Sequence, residues 1–277
     1  MNSEQILDTT PPPSDFRLSY GTDANNFGDL RLPSTTGPHP VVIFVHGGFW
    51  RARYGLEYAG HLCAALTAAG IATWNIEYRR LGNEGGGYPG TLLDVARAAD
   101  FLREIAPTYN LDLSRVVVTG HSAGGHLAAW LAGRQHIPVG DELYTRNPLR
   151  FKGVVPLAGV LNLRRACELH LSDNVTEQFM GGTPADYPDR YAFASPEEML
   201  ALGVPQIIIH GTEDSSVPYE ISLTYYDTAV ALGDEATLIT LEGAGHFEMV
   251  DPNSSEWQQV FAAITGLLGN KSQDIEP

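Results

Sequence analysis

Gly120-His121-Ser122-Ala123-Gly124 is the stretch that decides the fold of this chain, and it has the form G-x-S-x-G. The run before it, residues 115–119, is short, apolar and β-branched, whereas residues 126–132 are rich in alanine and leucine. Ser122 is therefore predicted to lie on a tight turn between a strand and a helix, where the flanking glycines avoid collisions of Cβ atoms. Such a turn is a nucleophile elbow, and it places the serine hydroxyl beside the unpaired N–H groups of a helix start.

Strands and helices alternate on both sides of this turn. Apolar and β-branched runs predict strands over residues 16–20, 27–32, 41–45, 71–78, 115–119, 151–157, 204–210 and 235–241. Helical spacing of apolar residues predicts helices over 56–69, 92–106, 126–132 and 257–268. The first two strands are expected to pair antiparallel. The alternation of the others predicts an α/β fold with a mostly parallel central sheet and helices on both faces.

The domain organisation follows from the same pattern. Residues 1–15, which include three consecutive prolines, are expected to be a flexible, extended tail. A single domain is predicted over 16–268, and 269–277 are expected to be a second tail. Residues 159–203 are too long for a simple connection and are predicted to be a lid-like insertion with helical patches that could cover the site.

Composition excludes several classes of protein. With 277 residues and 43% hydrophobic residues, the chain is expected to bury a substantial core without disulfides. The two cysteines, Cys63 and Cys167, are predicted to be structural or incidental, because no metal-ligand spacing involves them. The formal net charge of −16 argues against nucleic acid and anionic membrane as partners. No signal peptide or long apolar run is present, so we expect a soluble, cytoplasmic protein.

A nucleophilic serine requires a base and an acid that orients the base. In a parallel sheet, reactive groups gather in loops at the carboxyl ends of strands. Asp214 follows the strand that ends near His210, and His246 follows the strand that ends near Leu241. We therefore predict Asp214 as the acid and His246 as the base. Glu213 remains a competitor for the role of the acid.

The segment His46-Gly47-Gly48-Phe49-Trp50 follows a buried strand, and its glycines permit close approach of the main chain to a substrate. The N–H groups of Gly48, Phe49 and Ala123 are predicted to form an oxyanion hole. Trp50 and Phe247 are predicted to contact the substrate, although packing within the core is an alternative for such aromatic residues.

Four motifs carry a resemblance to a known superfamily: HGGFW at 46–50, GHSAGG at 120–125, HGTEDSSVP at 210–218 and GAGHF at 243–247. Together they resemble the α/β-hydrolase superfamily from about residue 16 to residue 268. The H-G-G-x-W form, with GHSAGGHLA, resembles kynurenine formamidase (arylformamidase) and related carboxylesterases. The resemblance implies an α/β-hydrolase fold, with Ser122, Asp214 and His246 as catalytic triad. The hormone-sensitive-lipase branch would have a third glycine where Phe49 stands.

The expected function is hydrolysis of small carboxylic esters or aryl formamides through an acyl-enzyme. The first alternative is a peptidase-type amide hydrolase related to the catalytic domain of prolyl oligopeptidase. The second is a non-catalytic binding protein, because the same fold also serves as receptors and scaffolds. No cofactor and no metal is expected, since motifs for both are lacking. The sequence leaves the oligomeric state open, with a homodimer among the alternatives.

Overall fold

The structure, a computed structural model, describes residues 3–269. Within them, one sheet of eight strands has the order β1-β2-β4-β3-β5-β6-β7-β8. Its strands are β1 (Phe16–Ser19), β2 (Phe27–Arg31), β3 (His39–Val45), β4 (Ala72–Ile76), β5 (Leu111–His121), β6 (Gly153–Leu157), β7 (Gln206–Gly211) and β8 (Ala236–Leu241). The pairs β1–β2 and β2–β4 are antiparallel, and the remaining neighbours are parallel. The predicted mostly parallel sheet is confirmed.

Helices connect the parallel strands. They are α1 (Gly60–Ala68), α2 (Gly90–Asp100), α3 (Leu102–Tyr109), α4 (Ala123–Gly133), α5 (Leu163–Glu168), α6 (Leu171–Met180), α7 (Pro188–Ala194), α8 (Tyr219–Ala231) and α9 (Trp257–Leu267). Short 3-10 helices lie at Ser3–Asp8, Glu57–Ala59, Arg134–His136, Pro196–Met199 and Glu248–Val250. None of the helices in residues 3–269 combines the length and the apolar character needed to cross a membrane.

Side chains of β3 alternate between two hydrophobic cores, one on each face of the sheet. Ile43 and Val45 belong to the core that α2, α3, α4 and α8 cover. Val42 and Phe44 belong to the core that α1 and α9 cover. Because both faces of a central parallel strand are buried, its sequence is a continuous apolar run rather than an alternating one.

Two helical predictions need correction. The helix predicted over 92–106 is two helices, since the chain turns at Phe101, which ends α2 and precedes α3. Helix α8 was not predicted. Its buried residues Ile221, Tyr225 and Ala229 have helical spacing, but exposed Leu223 and Val230 obscure that pattern in the sequence.

The structure describes most of the predicted N-terminal tail and one residue of the predicted C-terminal tail. Within the predicted N-terminal tail, Ile6 is buried, and the guanidinium of Arg31 donates a hydrogen bond of 2.9 Å to the carbonyl of Pro12. The described part of residues 1–15 is therefore packed against the body of the protein. Of the predicted C-terminal tail, residues 270–277 lie outside the described residues.

The segment between β6 and β7 contains α5, α6 and α7. The chain leaves helical geometry at residues 172–174 near the start of α6, where φ is positive. Helix α6 reaches the glycine loop, residues 46–50, because Phe179 stacks on Trp50 with ring centroids 4.5 Å apart. The insertion thus packs against one side of the glycine loop.

Candidate active site

Ser122 occupies the sharp turn between β5 and α4. Its backbone has φ 58° and ψ −122°, a conformation that non-glycine residues rarely adopt. The turn is held by a hydrogen bond of 2.8 Å from Ser122 N–H to the carbonyl of Leu157. A Cβ atom on Gly124 would collide with the carbonyl oxygens of Val45 and His46, so only glycine fits there. This is the strand, turn and helix arrangement that the sequence predicts around the serine.

Asp214 and His246 come together from the loops after β7 and β8. Nδ1 of His246 lies 2.6 Å from Oδ2 of Asp214, whose side chain is fully buried. The other carboxylate oxygen accepts backbone N–H groups from Ser216 at 2.8 Å and from Val217 at 2.9 Å. Glu213, the competing acid, is exposed. The geometry therefore pairs His246 with Asp214.

A second histidine, which is not predicted from the sequence, contacts the same carboxylate. Nε2 of His210 lies 3.2 Å from Oδ2 of Asp214 and 2.9 Å from the carbonyl of Val217. Its Nδ1 lies 2.7 Å from the hydroxyl of Ser222. The signal was available, since His210 begins the motif H-G-x-x-D, but the motif alone does not show where the ring points.

These contacts determine the charge state of Asp214. Burial alone would raise the pKa of its carboxyl group. Hydrogen bonds from His210 and His246, together with the backbone N–H of Val217, outweigh burial and hold the pKa well below its ordinary value. Asp214 is consequently ionised at neutral pH and accepts the Nδ1–H of His246.

The glycine loop after β3 lies against Ser122. A Cβ atom on Gly47 would come within 3.0 Å of the Ser122 Cβ atom, which shows how closely this loop borders the serine. The φ angles of Gly48, Phe49 and Trp50 are 104°, 50° and 54°. Within residues 3–269, the backbone N–H groups of Gly48, Phe49 and Ala123 donate to no protein acceptor. Three N–H groups thus remain available beside the elbow for an external acceptor.

His46 holds the start of the glycine loop in place through contacts with Glu77 and Tyr78. Its ring stacks on Tyr78 with centroids 4.4 Å apart, and its Nε2 lies 2.8 Å from Oε1 of Glu77. The hydroxyl of Tyr78 donates to the carbonyl of His46 at 2.7 Å. The first residue of the HGGFW motif therefore anchors the loop in the core.

The predicted role of Trp50 as a substrate contact is not supported by its position. Trp50 has no exposed surface, stacks on Phe179 and donates its indole N–H to Nδ1 of His126 at 3.2 Å. Its ring therefore packs in the core between the glycine loop, to which Trp50 belongs, and Phe179 of the insertion. Packing within the core is the alternative that the sequence left open. Phe247 is only partly buried and contacts Tyr58, His121 and His246, so it stays a candidate for substrate contact.

Within residues 3–269, no group of histidine, cysteine and carboxylate side chains has the arrangement of a metal site. A cavity of about 370 Å³ lies between the 3-10 helix Arg134–His136 and residues 192–201. The serine itself is only 2% exposed. Little of the surface of Ser122 is therefore open to solvent.

The fold and the site together define the class: this is a protein of the α/β-hydrolase fold. A carbohydrate esterase from gut microbiota superposes with a TM-score of 0.77 at 24% identity over 94% of this chain and 98% of that one. Esterase B of Lactobacillus rhamnosis superposes with a TM-score of 0.80 at 21% identity over 98% and 93%. The BD-FAE family model matches residues 29–228, and the chain belongs to that family.

Curated relatives are similar to this chain over most of its length. The probable isoprenylcysteine alpha-carbonyl methylesterase ICMEL1 of Arabidopsis thaliana is 28% identical over 93% of this chain and 56% of its own. Esterase LipC of Mycobacterium tuberculosis is 29% identical over 85% of this chain and 60% of its own. The chain therefore spans less than two thirds of the length of these relatives.

Proposed function

We propose that this chain is a serine hydrolase that cleaves small carboxylic esters through an acyl-enzyme. The observation that carries the proposal is the Asp214–His246 hydrogen bond of 2.6 Å, with the carbonyl of His246 lying 2.8 Å from Nε2 of His121, the residue before the strained Ser122 turn. The names of the relatives, a methylesterase and an esterase, agree with this chemistry. The low pKa of Asp214 adds a fixed negative charge behind the base.

In acylation, the Ser122 hydroxyl attacks the ester carbonyl while Nε2 of His246 accepts its proton. Asp214 accepts the Nδ1–H, so Nε2 is left free as the base, and the carboxylate stabilises the imidazolium that forms. The developing oxyanion accepts hydrogen bonds from the N–H groups of Gly48, Phe49 and Ala123. The imidazolium then returns its proton to the leaving alcohol, and the acyl group remains on Ser122.

Deacylation reverses these roles. His246 removes a proton from a water molecule, which attacks the acyl carbonyl, and the same N–H groups stabilise the second oxyanion. His246 then protonates Ser122 as the carboxylic acid leaves. Each oxyanion donor in comparable enzymes contributes on the order of 10²–10³ in rate, so displacement of a single donor of the glycine loop is expected to lower kcat measurably.

Short acyl groups are expected to be preferred at Ser122. The serine is almost completely covered, and Phe49 and the partly buried Phe247 lie on the two loops that flank it. Acetyl and butyryl esters are expected to react faster than long-chain esters. Aryl formamides also have a small acyl group, and the H-G-G-x-W motif keeps them as the second candidate substrate class.

Parallel assays with p-nitrophenyl acetate, butyrate and dodecanoate and with N-formylkynurenine test the proposal. Wild type and Ser122→Ala are compared as kcat/KM for each substrate. Preferential hydrolysis of the short esters, lost in Ser122→Ala, supports an esterase. Faster turnover of N-formylkynurenine by orders of magnitude would instead assign arylformamidase activity. Equal rates for wild type and Ser122→Ala would overturn the serine mechanism.

A further inference from the structure

Three loops of the site are joined by one chain of hydrogen bonds that the mechanism above does not use. Gly47 N–H donates to the hydroxyl oxygen of Tyr58 at 2.7 Å. That hydroxyl lies 3.0 Å from Nδ1 of His121, and Nε2 of His121 lies 2.8 Å from the carbonyl of His246. This hydrogen-bond network thus runs from the glycine loop, through the residue before the nucleophile, to the backbone of the proposed base.

The direction of each bond follows from the chemistry of its partners. A carbonyl oxygen only accepts, so Nε2 of His121 must carry a proton toward His246. Burial and the nearby charge of His246 hold the pKa of His121 well below its ordinary value, which keeps the ring neutral. Nδ1 of the neutral ring is then an acceptor, and Tyr58 must donate its hydroxyl proton to it.

Every donor in this network has one acceptor, and its two side chains are buried. Tyr58 and His121 are 7% and 1% exposed. Removing either side chain would leave a buried N–H or a partly buried carbonyl without its partner, and such a group costs free energy or moves to find water. The groups left without a partner would be Gly47 N–H, next to Gly48 in the oxyanion segment, and the carbonyl of His246.

We propose that Tyr58 and His121 are positioning residues that hold the glycine loop and the His246 loop in place beside Ser122. The proposal rests on the hydrolase function proposed above and deepens it, since neither residue touches the reacting atoms. His121 is suited to this task because it directly precedes Ser122 on β5. Hydrogen bonds to His121 therefore fix the position of both loops relative to Ser122.

The first experiment compares Tyr58→Phe with Tyr225→Phe on the best ester substrate. Both changes remove one buried hydroxyl, and that of Tyr225 donates to Oε1 of Gln206 at 2.6 Å, away from the catalytic loops. The hydrogen-bond network from Gly47 to His246, here called the relay, predicts that Tyr58→Phe lowers kcat roughly tenfold to a hundredfold with little change in KM, because oxyanion donors are misplaced. Tyr225→Phe should retain the wild-type kcat. Equal effects of the two variants would reduce Tyr58 to a structural residue and overturn the proposal.

Two substitutions of His121 separate the ends of the relay. In His121→Gln the amide nitrogen can replace Nε2 as donor to His246, whereas in His121→Asn the amide oxygen can replace Nδ1 as acceptor for Tyr58. Tyr58→Phe and His121→Gln both break the bond between the two residues, so the double variant loses that bond only once and its loss of kcat should be smaller than the product of the two single losses. Two residues in one relay give non-additive losses of this kind, whereas independent residues give losses that multiply. Fully multiplicative losses would contradict the relay.

A nuclear magnetic resonance measurement tests the relay without relying on turnover. Long-range 1H–15N spectra report the tautomer of each histidine ring, and loss of one set of signals in His121→Gln assigns His121. The proposal predicts a neutral ring with its proton on Nε2 at pH 7. A proton on Nδ1 would overturn the relay, whether or not any ester is hydrolysed. Absence of hydrolysis together with the Nε2–H tautomer would instead overturn only the proposed function.

Discussion

At the scale of single residues, the site depends on one carboxylate that several donors surround. Asp214 receives His246 on one oxygen and two backbone N–H groups on the other, with His210 beside it. This arrangement keeps Asp214 ionised despite burial and fixes the tautomer of His246. Glu213, one residue earlier in the chain, is exposed to solvent. Two neighbouring acids thus have different environments, because the turn after β7 directs their side chains differently.

The substitution Asp214→Asn tests this difference. The amide cannot act as a charged acceptor, and it favours the wrong tautomer of His246, so kcat should fall by about 10³–10⁴ while the fold is retained. The matched control Glu213→Gln removes the same charge from the exposed neighbour and should remain active. Steady-state kinetics on a short ester measures both. Loss of activity in Glu213→Gln, with normal turnover in Asp214→Asn, would transfer the acid role to Glu213.

The sequence locates Ser122, Asp214 and His246 because each follows a strand with a recognisable pattern. It does not locate Tyr58 as a partner of His121, because the two residues are 63 positions apart and their contact depends on side-chain direction. The role of Trp50 is ambiguous in the sequence for a related reason. An aromatic residue beside a glycine loop can line a pocket or fill a core, and only the position of Phe179 decides between them.

At the scale of elements, the elbow joins a strand and a helix that are both buried. All residues of α4 are buried, and its first turn packs directly against β3 and β6. Strands such as β3 and β6 are predictable because burial on both faces produces continuous apolar runs. Helix α8 and the division between α2 and α3 are not, because tertiary packing overrides a weak local pattern there.

Two glycine substitutions test the packing of these helices. Gly124→Ala places a Cβ atom against backbone oxygens of β3 and the glycine loop, so we expect lower stability and loss of activity. In α9, a Cβ atom on Gly266 would meet no atom within 4 Å. Gly266→Ala should therefore stabilise the protein by about 0.5–1 kcal/mol, because alanine favours the helix. Thermal unfolding of both variants measures these effects. A stable, active Gly124→Ala would contradict the proposed geometry of the elbow.

At the scale of the whole molecule, buried neutral histidines make stability depend on pH. Burial lowers the pKa of His126 from 6.5 to about 4, and its ring bridges Trp50 of the glycine loop and the carbonyl of Ala194 in α7. Between these pH values the unfolded chain binds the proton and the folded chain does not. Stability should therefore fall as pH decreases from about 6.5 toward 4.

His126→Gln should make this dependence shallower, because the amide can serve as donor and acceptor without binding a proton. A single group with this shift contributes roughly 1.4 kcal/mol per pH unit within the interval. Urea unfolding at several pH values between 7 and 4.5 measures the slope. Parallel curves for wild type and variant would show that His126 does not contribute. His121, whose pKa is also lowered, accounts for part of the slope that remains.

The most direct measurement of the central claim is the intact mass of the protein after reaction with diethyl p-nitrophenyl phosphate. We expect one diethylphosphoryl adduct on wild type, assigned to Ser122 by peptide mapping, and no adduct on Ser122→Ala. We also expect slow labelling of Asp214→Asn, since the base is then in the wrong tautomer. A wild-type protein that stays unmodified, or an equal adduct on Ser122→Ala, would contradict the claim that Ser122 is the nucleophile.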